Sequence, residues 1–126
     1  MIPTFTKSYL AAAVVLGRSI VAYAAPAADN SVETAAAATV VGLGIADTLG
    51  AGAGQMLDVH RAGLAEVELG GPVSAGDPLM ADANGKAIEA VAAAGTSVWF
   101  VGYADGPGVA GDFIDCFVAP GVIHEA

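Results

Sequence analysis

The 126-residue sequence contains little cysteine and little basic charge. A single cysteine, Cys116, excludes an intrachain disulfide framework, and no basic residue lies near it in sequence to stabilise a reactive thiolate. Lys and Arg number four against 13 Asp and Glu, which gives a formal net charge of −9 at pH 7. Nucleic-acid binding depends on cationic neutralisation of phosphates, so this charge argues against a nucleic-acid partner.

Long hydrophobic runs and bulky side chains are also scarce. No run reaches the ~18 to 20 apolar residues that a membrane-spanning helix requires, so we expect no membrane partner. The hydrophobic fraction is 56%, but much of it is alanine and aromatics make up only 6%. Such a chain has apolar surface but few bulky side chains to fill the hydrophobic core of a single subunit. We therefore expect an oligomer that buries shared surface.

Many short motifs occur twice in the same order. Their offsets lie between 56 and 59 residues, and this near-constant spacing predicts an internal duplication of about residues 10–63 and 69–121. The matches are Val14 with Val73, Gly17 with Gly76, Ile20 with Leu79, Glu33 with Glu89, 44–47 with 102–105, Gly54 with Gly111, and Asp58 with Asp115.

Turn signals separate short β-prone runs along the chain. Asn84-Gly85 favours a type I′ hairpin turn between strands at 78–82 and 86–91. Residues 97–103 are rich in branched and aromatic side chains, and 113–118 form a closing strand before Pro120. These short strands with Gly and Pro between them predict a small all-β barrel or sandwich.

Two segments leave more than one interpretation open. Asn30 followed by Glu33 and alanines is typical of a capped helix, whereas the duplication favours extended structure over 31–38. We expect a strand there, with a short helix as the alternative. Residues 55–61 and 64–69 alternate as strands, with a bend at 61–63 between them.

The sequence offers no convincing catalytic or metal-binding set. Residues 42–47 lack the third glycine of a dinucleotide fingerprint, and Gly85-Lys86 lacks the hydroxyl residue of a phosphate-binding loop. His60, near Asp58, is expected on a strand surface, and two histidines do not close a zinc site. Asp47 and Asp105 occupy matched positions in the two copies of the repeat. They are either a paired carboxylate site or ordinary turn residues. We expect no cofactor and no enzymatic activity.

The first 24 residues also resemble a secretory signal. Lys7 precedes an apolar run over 9–17, and Ala22-Tyr23-Ala24 stands where a cleavage site would be. Arg18 ends the apolar run early, and the same segment matches residues 68–83 of the second copy. We therefore expect a strand. A secreted or periplasmic β-domain that binds a small ligand is the alternative function.

Several motifs together resemble the small capsid cement, or head decoration, proteins of tailed bacteriophages. The resemblance covers about residues 8–123. This family has sometimes been labelled a RecA-like recombinase, but the acidic charge and the missing phosphate loop argue against that activity here. The motifs are the N-terminal arm, Ala-x-x-Val-x-x-Gly-Arg-x-Ile-Val, Gly-Ile-Ala-Asp, Asp-Val, Gly-Leu-Ala-Glu-Val, Val-Ser-Ala-Gly-Asp-Pro-Leu, Asn-Gly-Lys-Ala and Ala-Pro-Gly-Val-Ile.

The resemblance implies a β-tulip or β-clip-like barrel, similar in kind to the lambda head decoration protein. It implies homotrimers on the outer surface of the virion head, an arm that joins a strand of the major capsid protein, and no catalytic set. Residues 10–126 would form the single β domain, behind an extended arm at 1–9. The capsid-binding residues would be Ile2, Pro3, Thr4, Phe5, Thr6, Lys7 and Tyr9.

Backbone groups in this arm are expected to be unpaired until a capsid strand binds them. The arm should therefore be disordered beforehand, and its deletion over residues 2–8 should leave folding intact. Trp99, Phe100 and Tyr103 are the candidate subunit contact, because a thin barrel does not need so much bulk on one strand. We expect at least one of these rings in the core.

Overall fold

The computed structural model describes residues 2–24, 31–36, 42–92 and 94–124, and these residues form an all-β fold. The predicted fold class is confirmed. No helix in the described ranges could span a membrane. The strands are β1 (Ile2–Ala11), β2 (Ile20–Tyr23), β3 (Ser31–Thr34), β4 (Gly44–Ala46), β5 (Met56–Glu68), β6 (Pro78–Ala81), β7 (Ala87–Glu89), β8 (Ser97–Ala104) and β9 (Phe113–His124).

The first five strands close a small barrel, here called barrel 1. Their order is β1-β3-β2-β4-β5, and β1 closes the ring by pairing with both β3 and β5. Inward-facing apolar side chains fill the barrel because alternate residues of each strand point to its interior. The buried core of barrel 1 comprises Tyr9, Ala11, Val15, Val21, Val32, Leu43, Ala46, Leu57 and Val59.

Strand β5 is shared with a second barrel, barrel 2. Beyond Gly63, which has a positive φ of 85°, the strand pairs with β9 over residues 63–68. The order continues β5-β9-β8-β6-β7, and a parallel bridge between Leu69 and Ala87 returns to the end of β5. The expected bend at 61–63 is therefore wrong, because the chain passes from one barrel to the other without leaving the ladder.

Barrel 2 repeats the backbone hydrogen bonds of barrel 1. The mutual bonds of Val15 and Ala51 recur between Val73 and Gly108, which are 58 and 57 positions further on. The bond from Ala12 N to Val32 O recurs from Gly70 N to Ala87 O, 58 and 55 positions further on. Other recurring bonds include Gly54 to Ala11 with Gly111 to Leu69, Ala46 to Ser19 with Ala104 to Asp77, Asp47 to Asp58 with Asp105 to Asp115, and Ala35 to Ile20 with Ala90 to Pro78.

These bonds correct the alignment of the first strands by one residue. Val15, not Val14, is equivalent to Val73, and both are buried, whereas Val14 is 65% exposed. The identity matches at an offset of 59 were misplaced because a one-residue slip in a strand turns every side chain to the other face. Arg18, not Gly17, is therefore the equivalent of Gly76.

Three local predictions have clear outcomes. The hairpin β6–β7 is present, but only Gly85 has positive φ, and Asp82 accepts bonds from Asn84 N and Lys86 N across a longer turn. Residues 31–34 are extended, and 37–38 lie outside the described residues. Strand β9 continues past Pro120 instead of ending before it. The pairing with β8 is irregular between Val118 and Gly121, so Pro120 is not required to donate a ladder hydrogen bond.

Candidate functional site

The predicted arm is not free in this fold. Residues 2–10 of β1 pair antiparallel with residues 56–64 of β5. Side chains reinforce the ladder, since Thr6 Oγ1 lies 3.0 Å from His60 Nδ1 and Ser8 Oγ donates to Asp58 Oδ1 at 2.6 Å. The expectation of an unpaired, disordered arm is wrong, because closing barrel 1 already satisfies one edge of the strand.

Within the described part of the chain, the other edge of β1 has no partner over residues 2–9, and it is here called the open edge. Over these residues β1 pairs with β5 alone, and β3 joins only at Leu10 and Ala11. Ile2, Pro3 and Thr4 belong to this strand. Phe5 is 51% exposed, and Thr6 and Lys7 are also exposed. An edge strand with one unpaired row of backbone groups is a template for a strand from another chain.

Tyr9 does not belong with the exposed arm residues. It is 1% exposed and forms part of the core of barrel 1. Lys7 Nζ lies 5.0 Å from its ring centroid, Tyr23 packs edge-on at 6.3 Å, and Arg61 Nη1 donates to Tyr9 Oη at 3.0 Å. Lys7, Tyr23 and Arg61 thus form a polar cap over this end of barrel 1.

The three candidate contact residues on β8 all lie near the surface, and the expectation of a ring in the core is wrong. Trp99 is 37% and Tyr103 41% exposed, and Phe100 is half-buried beside Gly121. Phe100 and Tyr103 pack with ring centroids 5.3 Å apart. Trp99 is opposite Val122 on the neighbouring strand.

Sequence reasoning missed one ring of this surface. Phe117 on β9 is directly opposite Tyr103 and is 53% exposed, so the two rings share a face. The alternation of Phe113, Asp115 and Phe117 along β9 was the available signal. Phe100, Tyr103 and Phe117 together form the aromatic face of barrel 2.

Arg18 connects the two barrels through its side chain. It forms an ion pair with Glu66 of β5, and its guanidinium lies 4.4 Å from the ring centroid of Phe113 on β9. Lys86 makes a second ion pair with Glu68 at 3.1 Å. Arg18 has a positive φ of 64°, the conformation that its equivalent Gly76 adopts without steric cost.

The candidate polar residues serve structural roles. His60 is 6% exposed, not on the surface as expected, because β1 covers it. Asp47 Oδ1 accepts bonds from Leu49 N and Gly50 N, the turn role rather than one half of a carboxylate pair. Asp105 is exposed at the equivalent position. No three potential ligands cluster as a metal site within the described part of the chain.

Two groups in the described ranges have a shifted pKa. Burial raises the pKa of the Cys116 thiol to about 12, so this thiol is unreactive at neutral pH. A side-chain hydrogen bond with Asp77 raises the pKa of Glu89, and the repulsion between the two carboxylates acts in the same direction.

Comparison with known proteins shows a similarity of fold. No family model matches the sequence, and no curated protein matches it. Among solved structures, the fold is similar to the head fiber gp8.5 N base of bacteriophage phi29, with a TM-score of 0.67 and 18% sequence identity. The similarity covers 91% of this chain and 93% of that chain, so the two share the whole fold.

Proposed function

We propose that this chain is a structural protein of a bacteriophage virion. It would act as a cement or decoration protein that binds the outer surface of the head and bridges subunits of the major capsid protein. The observation that carries the proposal is the fold shared with a phage head fiber base over 91% of this chain. The short motifs that resemble capsid cement proteins support the same assignment from the sequence.

The open edge of β1 provides the attachment. Its unpaired backbone donors and acceptors can add a strand of the major capsid protein by β-augmentation. Because β5 already orders β1, binding avoids the backbone entropy cost of roughly 1–2 kcal/mol per residue that a disordered arm would incur. The exposed ring of Phe5 adds apolar contact.

Stabilisation of the shell follows from selective binding. A protein that binds the assembled shell but not separated subunits stabilises the shell by mass action. In a homotrimer, three β1 edges would engage the same lattice and raise the avidity without new contacts. The acidic chain, with a net charge of −9, is also suited to an outer surface away from the packaged genome.

The secreted-domain alternative has less support. Cleavage after Ala24 would remove β1 and β2 from barrel 1. Tyr9, Val15 and Val21 of this segment are at most 1% exposed and form part of the core, so the rest of the chain could not retain the same barrel. We therefore favour the virion role.

Binding to heads tests the proposal directly. Deleting residues 2–8 is not a clean test, because it would remove most of the pairing between β1 and β5. Phe5→Ser keeps the ladder and removes an exposed ring, and Val14→Ser is the matched control outside the arm. Heads of the phage that encodes the chain should bind Phe5→Ser at least about tenfold more weakly than the control in co-sedimentation. Equal rupture temperatures of bare and decorated heads would rule out the cement role.

A further inference from the structure

The internal repeat has left two surfaces uncovered, one on each barrel. Inside the chain, the outer face of barrel 1 packs against one end of barrel 2. Ile20, Ala22 and Ile45 are at most 1% exposed, and they belong to the same core cluster as interior residues of barrel 2. Ile20 and Val101 both border Gly42 at this junction.

Among the residues that the structure describes, none covers the equivalent outer face of barrel 2 in this way. Moving 58 positions along the chain replaces Ile20, Ala22 and Ile45 by Pro78, Met80 and Tyr103. Pro78 and Met80 are half-buried, and Tyr103 is 41% exposed. The neighbouring position changes in the same way, from the buried His60 to Phe117, which is 53% exposed. The aromatic face is therefore the uncovered copy of an internal interface.

The opposite end of barrel 1 is the other uncovered copy. At the covered end of barrel 2, Ala65, Ala81 and Val118 are at most 6% exposed. Their equivalents in barrel 1 are Lys7, Tyr23 and Arg61, the residues of the polar cap. Small apolar residues that contact a neighbouring barrel have become long amphipathic side chains at the surface.

We infer that two copies of this chain associate head to tail, with the aromatic face of one copy on the polar cap of the next. The contact continues the arrangement that already joins barrel 1 to barrel 2 within the chain. It is heterologous, and three copies joined in this way can close into a ring. The inference rests on the self-association part of the proposed function and does not depend on binding to heads.

The charges and aromatic rings of the two surfaces favour a second copy of this chain as the partner that covers them. The cations Arg18 and Lys86 are already paired with Glu66 and Glu68. Lys7 and Arg61 contact Tyr9 but make no ion pair with any carboxylate in the described ranges, so their charges are not neutralised within the described part of the chain. Asp77 and Glu89 stand beside Pro78 and supply negative charge at the edge of the aromatic face.

Complementation between two variants tests the inference. Tyr103→Ser/Phe117→Ser removes two of the three rings of the aromatic face. Lys7→Gln/Tyr23→Ser removes two of the three side chains of the polar cap, and each variant leaves the other surface intact. Leu49→Ser/Val91→Ser is the control, because both residues are exposed and lie outside the two surfaces. Circular dichroism and thermal melting establish that each variant is folded. Sedimentation velocity at ~100 μM then measures association in a range where an interface of standard size is populated.

The expected results are specific to a heterologous contact. The wild type and the control associate, and loss of the two rings weakens association at least about a hundredfold, since central rings are typical hot spots. Each surface variant is monomeric alone, and an equimolar mixture gives a one-to-one dimer and nothing larger, because one intact cap meets one intact face.

Three results would overturn the inference. They are a monomeric wild type, unchanged association of the ring variant, or a mixture that stays monomeric. The assay contains no heads, so it can fail while attachment to the capsid stands. Conversely, a failure of the co-sedimentation assay with heads leaves the head-to-tail contact between copies standing.

Discussion

Arg18 offers a test of whether backbone strain and side-chain contacts offset each other at a single residue. Its φ of 64° is left-handed, and this conformation costs a residue with a Cβ roughly 1–2 kcal/mol. The side chains of Arg18 and Glu66 are 29% and 32% exposed, so solvent screening limits their ion pair to about 0.5 kcal/mol. The contact with Phe113 at 4.4 Å adds about 0.5–1 kcal/mol.

Two substitutions separate these effects. Arg18→Ala loses both contacts and keeps the strain, so we expect a loss of about 1–1.5 kcal/mol in the free energy of unfolding. Arg18→Gly loses the same contacts but relieves the strain, and the net gain from glycine at such a position is about 1 kcal/mol. The glycine variant should therefore lie within about 0.5 kcal/mol of the wild type.

Thermal melting and urea unfolding measure the difference. One kcal/mol corresponds to a shift of about 3–5 °C in Tm for a domain of this size. Salt should narrow the gap between the wild type and Arg18→Ala, because the ion pair is screened. Equal destabilisation by alanine and glycine would refute the strain at Arg18, and a neutral Arg18→Ala would refute the contribution of the two contacts.

Three further predictions follow from particular contacts. Gly102→Ala should lower the free energy of unfolding by about 3 kcal/mol, because the new Cβ would overlap the backbone of β9. Gly106→Ala is the control and should be neutral, because its Cβ would meet open space. The raised pKa of Glu89 means that this carboxyl destabilises the fold at neutral pH and that the penalty disappears as pH falls below its folded pKa. Glu89→Gln should therefore raise Tm at pH 7 and match the wild type near pH 3, and an equal difference at both pH values would contradict repulsion from Asp77. Cys116 should resist maleimide at pH 8 until the protein is unfolded, and rapid labelling of the native protein would contradict its burial.

Local chemistry was sufficient to predict the fold class and several strands. The β-prone run at 97–103 and the Asn84-Gly85 turn each favour strand structure through properties of a few adjacent residues. The repeat was visible as an ordered series of motifs. Its register was not, because alanine and glycine matches in a strand do not distinguish neighbouring positions, and only the backbone bonds select Val15 over Val14.

Non-local pairing accounts for what the sequence left out. Residues 2–10 look like a free arm because their partner β5 begins more than forty positions later. The same pairing buries Tyr9 and His60, which no periodicity in their own segments indicates. The alternation of Phe113, Asp115 and Phe117 marks Phe117 as a surface residue, but its equivalence to the buried His60 follows only from the strand pairings of the two barrels.

A cryo-EM reconstruction of heads decorated with the purified chain tests the central claim most directly. The proposed role predicts density for both barrels on the outer surface of the head, with the open edge of β1 continuing a strand of the major capsid protein. Heads that carry no such density after incubation, or copies whose β1 edge faces solvent, would contradict it.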